Sequence, residues 1–281
     1  VAREDTPVTE LSELSTLSAS GPVLADLHAD GVAHVRLNRP DSANGLNIEL
    51  LAELQRVVML LHGEDRVRVV LLTGEGPNFC AGGDIHTFLA KGEALPAYIR
   101  VATAHLRGVA TGLIRLKAPV VTAVQGYAAG GGGMGLVCAS DFVVAASSAK
   151  FIAGATRVAM VPDAGVSVTL TQLVGLRRAT EILMLNPVID AAKALEIGLV
   201  TRVVADEALL DEAWRLARTL AAGAPAALAN TKRLLWNGLG QSVEAAMPEE
   251  NQAQEVLAAT QDALEGLAAV IEKRKPKFTG R

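Results

Sequence analysis

Two runs of small residues and one aspartate have the types and spacing that could do chemistry. The first run is Phe79-Cys80-Ala81-Gly82-Gly83-Asp84-Ile85, and the second is Gly126-Tyr127-Ala128-Ala129-Gly130-Gly131-Gly132-Gly133-Met134-Gly135. Each follows an apolar stretch of strand length and leads into a helical pattern. Glycine costs about 0.5–1 kcal/mol against alanine in regular structure, so four in a row suit a place where a ligand meets bare backbone amides. At a helix start, expected here near Gly132 or Gly133, those amides are unpaired and the dipole favours negative charge. The bland alternative is a tight turn with close helix–strand packing. Amides from two such loops aimed at one point form an oxyanion hole, which suits a thioester carbonyl becoming an enolate.

Other motifs carry less. Gly130-x-Gly132-x-x-Gly135 matches the dinucleotide fingerprint in form, but Gly154, Ala155 and Thr156 stand where its ribose-binding acid belongs. No Gly-Lys-Ser/Thr follows the glycines, which excludes a Walker A loop, and no G-x-S-x-G supports a serine hydrolase. The five histidines include no pair at metal-ligand spacing, and Cys80 and Cys138 do not join them, so no metal site is expected. His86 and His105 fit packed or surface roles better than functional ones.

The elements that must position the loops are legible in the apolar pattern. Val23–Leu27 and Val32–Leu37 flank Asp30-Gly31 as a hairpin. Asn47 caps a helix carrying Leu50, Leu51, Leu54, Val58 and Leu61 on one face. Val67–Thr73, Val120–Val124 and Phe142–Ala146 read as buried strands, with Lys150–Ile152 and Leu199–Val204 as shorter ones. Helices are expected over Pro96–Leu116, Val166–Val174, Leu176–Leu185, Ala191–Glu196, Asp206–Ala222, Pro225–Asn237 and Ser242–Lys273. The chain divides into a polar arm (1–21), an α/β core (22–205) and a helical C-terminal lobe (206–281). The apolar period of the lobe points to contact between subunits.

Half of the 281 residues are hydrophobic, 20% are charged, 3% are aromatic, and the net charge is −4. That composition gives neither the basic face nor the stacking rings that nucleic acid requires. No apolar run approaches membrane length, and no signal-type stretch or disulfide framework is visible. The cytoplasm is therefore the expected compartment, with no nucleic-acid or membrane partner.

With the order Leu37-Asn38-Arg39-Pro40, then the two glycine runs, Ala149-Lys150-Phe151 and the closing Lys273–Arg281, the sequence resembles the crotonase (enoyl-CoA hydratase/isomerase) superfamily over about 22–281. The resemblance implies a ββα spiral, a homotrimer or dimer of trimers, and acyl-CoA thioester substrates. Coenzyme A would enter as part of the substrate, with no prosthetic group. It assigns the oxyanion amides to Gly83 and to Gly132, or Gly131 in the register counted forward from Gly126. It places CoA against Ala43, Ala81, Asp84 and Ile85, with Lys273 and Phe278 reaching in from a neighbouring subunit. A solvated basic tail is the plainer reading of the last two.

The departures from the family pattern decide the expected chemistry. The two glutamates of a hydratase would fall at Gly135 (or Met134) and Ala155, and neither position carries a carboxylate. Without an acid/base in reach of water, ordinary hydration should be slow. Asp163 in Pro162-Asp163-Ala164-Gly165 occupies the place of the proton-moving carboxylate of several isomerases in the superfamily. Its bland alternative is capping the helix that starts near Gly165. Shielding by Ala155, Val158 and Met160 would raise its pKa. An enoyl-CoA isomerase with Asp163 as base is therefore the leading expectation. The alternatives are a hydratase lacking both glutamates, an aryl-CoA dehalogenase-like hydrolase with Asp163 as nucleophile, and a non-catalytic acyl-CoA binder. Ala155, Arg107 and Thr111 stand where the dehalogenases carry their Trp and His.

Overall fold

The computed structural model describes residues 15–281. Its main sheet has seven strands: β1 (Ser15–Ser18), β2 (Val23–Leu27), β3 (Val32–Leu37), β4 (Val69–Gly74), β5 (Val120–Val124), β7 (Phe142–Ala146) and β10 (Arg202–Val204), neighbours in that order. β1, β2 and β3 run antiparallel; from β3 onward every pairing is parallel. A second sheet joins β6 (Tyr127–Ala129), β8 (Lys150–Ile152) and β9 (Ile189–Asp190). The pairs β5–β6 and β7–β8 each add one strand to both sheets before a helix follows, as in the expected ββα spiral.

The hairpin forms where Asp30-Gly31 places it, with Gly31 at φ 83°. α1 (Ile48–Gly63) starts at Asn47, whose side chain accepts from Leu50 N–H. α2 (Ile85–Ala90) and α3 (Leu95–Arg115) follow the first glycine run, and α4 (Gly130–Cys138) takes in the four consecutive glycines of the second. α5 (Val166–Val174), α6 (Leu176–Leu185) and α7 (Ala191–Glu196) occupy the expected spans. β4 is buried on both faces as its unbroken apolar run requires. Each such Val or Leu contributes about 1.5–3 kcal/mol relative to exposure.

Several expectations are corrected. Ser15–Ser18 is not part of a loose arm but pairs with β2; residues 1–14 lie outside the described residues. α8 (Leu209–Ala221) does not belong to a separate lobe, because Leu209, Ala213, Leu216, Ala217 and Ala221 join the buried core under the main sheet. After α9 (Pro225–Gly238), the single helix expected over 242–273 is two, α10 (Val243–Ala258) and α11 (Gln261–Glu272). Thr260 breaks the run and caps α11 by accepting from Ala263 N–H. Short α2 and β6 were not foreseen, being too brief for a periodic signal.

α9 is pinned to the core by Lys232, which is 5% exposed. Its ammonium lies 2.7 Å from Asp141 and donates to Leu113 O and Ala118 O. No helix among the described residues is long and apolar enough to cross a membrane.

Candidate active site

The two glycine loops meet backbone to backbone. Cys80 N–H donates to Tyr127 O and Ala129 N–H donates to Cys80 O, at 3.0 and 2.8 Å. A side chain on Gly82 (φ 89°) would begin 2.6 Å from Ala129 O, and one on Gly133 would begin 2.5 Å from Cys80 O. These two glycines serve close packing, the bland alternative. Gly130, Gly131 and Gly132 do something else, because with Gly83 they line a cavity of about 580 Å³.

α4 begins two to three residues earlier than expected, at Gly130. The extended β6 runs directly into it, so the amides of Gly130, Gly131 and Gly132 all fall in the first turn, where a helix offers no acceptor. Across the cavity, Leu46 bridges to Gly83 as in a parallel ladder. Leu46 N–H donates to Gly82 O and Asp84 N–H to Leu46 O, at 2.7 and 3.1 Å. That pattern bonds the residues on either side of Gly83 and leaves Gly83's own N–H free.

The frame holding this bridge was visible in the sequence only as a motif. Asn44 is fully buried at φ 54°. It accepts from Arg39 N–H and donates to Glu75 O and Asn78 O. Arg39 in turn bonds Gly45 O and pairs with Asp84 at 3.1 Å. Asp84 also caps α2 by accepting from Thr87 N–H. Its carboxylate is therefore held below the usual range by these bonds, against the opposing effect of burial. Asp84 thus acts as a brace whose carboxylate is already engaged. The Leu46 side chain packs against Gly132, so one residue touches both halves of the site.

Asp163 is half-buried in the wall of the same cavity, and among the described residues it is the one carboxylate in that lining. Its carboxylate lies against Gly131, where even a methyl group would overlap Oδ1. Burial pushes its pKa up, opposed only by its own backbone amide. The capping alternative fails: α5 is entered through Gly165 in the left-handed region (φ 77°), with no side-chain cap. Ala155, Val158 and Met160 line the cavity as expected. Met134 is fully buried, and Gly135 faces Ala164, so neither register of the first glutamate position borders the cavity, whereas Ala155, the second position, does but carries no carboxylate.

Ala81 and Ile85 line the cavity; Ala43 does not, although its carbonyl accepts from Ala81 N–H. Lys273 and Phe278 do not line the cavity of their own chain. Lys273 ends α11 in the left-handed region, and the Phe278 ring lies over Gly266. His86 is exposed, and His105 bonds Gln55 at 2.7 Å, both away from the cavity. Cys80 and Cys138 are buried thiols pushed up to about 12 by desolvation, and so are inert. The sequence reading passed over Thr103, which borders the cavity beside Asp163.

A two-sheet ββα spiral enclosing a cavity between two amide-bearing glycine loops defines the crotonase class. Comparison with known proteins narrows this: the family model described as Enoyl-CoA hydratase/isomerase matches residues 28–281. The trans-2-decenoyl-[acyl-carrier-protein] isomerase of Streptococcus mutans is 32% identical, over 90% of this chain and 96% of its own length. The 1,2-epoxyphenylacetyl-CoA isomerase of Escherichia coli is 33% identical over 89% and 96%. The crystal structure of an enoyl-CoA hydratase from Bacillus anthracis superposes with a TM-score of 0.88 at 35% identity, covering 93% of this chain and all of that one. The chain belongs to the enoyl-CoA hydratase/isomerase family, whose members process acyl thioesters.

Proposed function

We propose that this protein is an enoyl-CoA isomerase in which Asp163 moves a proton along the acyl chain. The observation that carries the reading is that, among the described residues, Asp163 alone supplies a carboxylate to the cavity, and it lies against the first turn of α4. The thioester oxygen accepts from Gly83 N–H and from the α4 turn. Chain spacing favours Gly132 as that second donor, while Gly131 is the glycine against which the Asp163 carboxylate lies.

The step balances on these groups. Asp163 takes a proton from the carbon next to the thioester of a 3-enoyl-CoA, and the electron pair delocalises onto the thioester oxygen. The enolate is stabilised by the two amides, each worth about 2.7–4 kcal/mol in comparable sites. The protonated Asp163 returns its proton two carbons further along, leaving a 2-enoyl-CoA and a carboxylate. CoA lies along Ala43, Ala81 and Ile85, without a prosthetic group. The exposed Leu264, Leu267, Val270 and Ile271 of α11 suit contact between copies in a trimer or dimer of trimers. Such contact would bring Lys273 and Phe278 towards a neighbour's CoA.

Purified protein incubated with 3-enoyl-CoA and 2-enoyl-CoA in D2O tests the assignment. Double-bond migration with deuterium incorporation, abolished in Asp163→Asn, is the expected result. Brisk hydration of 2-enoyl-CoA that survives Asp163→Asn would overturn it.

A further inference from the structure

Asp163 borders empty space on more than one side. A second cavity of about 650 Å³ lies beyond it, and Asp163 and Thr103 border both. The polar wall of this second cavity is one side of α3. Arg100, Thr103, Arg107 and Thr111 recur at the spacing that stacks side chains along a single helix face. The other side of α3 buries Ala102, Leu106, Val109 and Leu113.

The two hydroxyls are already committed as donors. Thr103 donates to Ile99 O at 2.8 Å and Thr111 to Arg107 O at 2.7 Å. Free donors on this face therefore come from the guanidinium groups. Arg39 and Arg202 are each paired with a carboxylate, while Arg68 and Arg157 bond backbone carbonyls instead. Among the described residues, neither Arg100 nor Arg107 has a carboxylate oxygen within 4.0 Å, and that includes the neighbouring Asp163. Consistent with that distance, no arginine figures among the causes that shift Asp163.

Two unpaired guanidinium groups past the reacting carboxylate suit an anion, and their planar fork matches a carboxylate. Building on the reading of Asp163 as the base beside the thioester, we infer that Arg100 and Arg107 bind a carboxylate at the far end of the acyl chain. The substrate class is then the mono-CoA thioester of an unsaturated dicarboxylic acid. The thioester lies at the glycine loops, the reacting carbons at Asp163, and the second carboxylate on α3. Ala81 and Ile85 line the first cavity only, which puts the CoA at the opposite end from these arginines.

Calorimetric binding of saturated ω-carboxyacyl-CoAs and methyl-ended acyl-CoAs, matched over a series of chain lengths, tests the assignment without turnover. At one length the wild type should bind the carboxylate-ended thioester about tenfold more tightly than its methyl-ended partner. Arg100→Gln and Arg107→Gln should each remove about three- to tenfold of that preference, moderated by solvent exposure, and leave methyl-ended binding unchanged. Arg107→Lys should restore part of it. Equal weakening of both series would place the arginines on CoA phosphates and overturn the inference. So would a wild-type preference for methyl-ended chains at every length. A carboxylate preference that stands while Asp163→Asn keeps its deuterium exchange would sink the base assignment alone. Failure to bind any acyl-CoA would sink both.

Discussion

Gly131→Ala isolates the placement of Asp163 from the stability of the fold. Gly131 is helical and not in the left-handed region, so alanine is conformationally acceptable there. In a helix that exchange ordinarily gains about 0.5–1 kcal/mol. The added methyl, however, would begin 2.9 Å from Asp163 Cγ and overlap Oδ1. To restore ordinary contact the carboxylate must swing away by about 1.5 Å, and misplacement on the order of 1 Å can cost about 100-fold in rate. That corresponds to about 2.7 kcal/mol in the barrier. Thermal melting should show a Tm at or above the wild-type value while proton exchange in D2O falls about 100-fold. Gly132→Ala makes the internal comparison, because its methyl strikes the Leu46 side chain instead. It should disturb the oxyanion frame without shifting the pH dependence of what activity remains. Unchanged exchange in a folded Gly131→Ala protein would refute the claim that catalysis depends on Asp163 where it stands.

Three further outcomes follow from other groups. The raised pKa of Asp163 means that the ionised base is lost on acidification at a higher pH than for an ordinary carboxylate. The acid limb of kcat/KM should therefore lie above about pH 4, and a pH–rate profile checks this. Lys232→Met should cost about 3 kcal/mol by urea denaturation, because it strands Asp141 in a nearly buried pair. Adding Asp141→Asn should recover part of the loss, since Val120 N–H can still be accepted there. His34 is depressed to about 3, chiefly by burial, with Arg36 adding to the effect. Its stabilising contribution is fully present above pH 6.5 and is lost as pH falls towards 3, by up to about 1.4 kcal/mol per pH unit. His34→Gln should flatten the fall in stability measured across that window.

The parts of the fold that were legible are those with a strong local period or a committed turn. β2 and β3 around Asp30-Gly31, the Asn47 cap and the helices from Val166 to Glu196 needed no tertiary information. The errors arose where tertiary context decides. α8 has the sequence of any amphipathic helix, and only the exposed underside of the main sheet makes it part of the core. The start of α4 could not be placed within a run of identical residues, since β6 and its pairing with β8 fix it. The site was legible in outline because glycine runs and a lone aspartate are chemically unusual. Arg100 and Arg107 were not, because a pair of arginines on a helix usually belongs to solvent. Only the position of Asp163 next to that face gives them a role.

Asn44 and Leu46 show why the two glycine loops should be treated as one device. Gly83 presents a free amide because Leu46 bonds on both sides of it, and Leu46 is held there by the Asn44–Arg39–Asp84 bracing. The same Leu46 side chain rests on Gly132, while Gly131 rests on Asp163. A shift of the loop at 44–46 would therefore move one oxyanion amide directly and the other through contact, without touching the base. A misplaced Asp163 would leave both amides intact. Damage to the frame should consequently weaken enolate stabilisation and retain exchange at a reduced rate, whereas damage at Asp163 should remove exchange and spare thioester binding. Asn44→Ala also leaves the half-buried carbonyls of Glu75 and Asn78 without their Asn44 donor, at about 1–3 kcal/mol. Its kinetic effect must therefore be read at a temperature where the variant is fully folded.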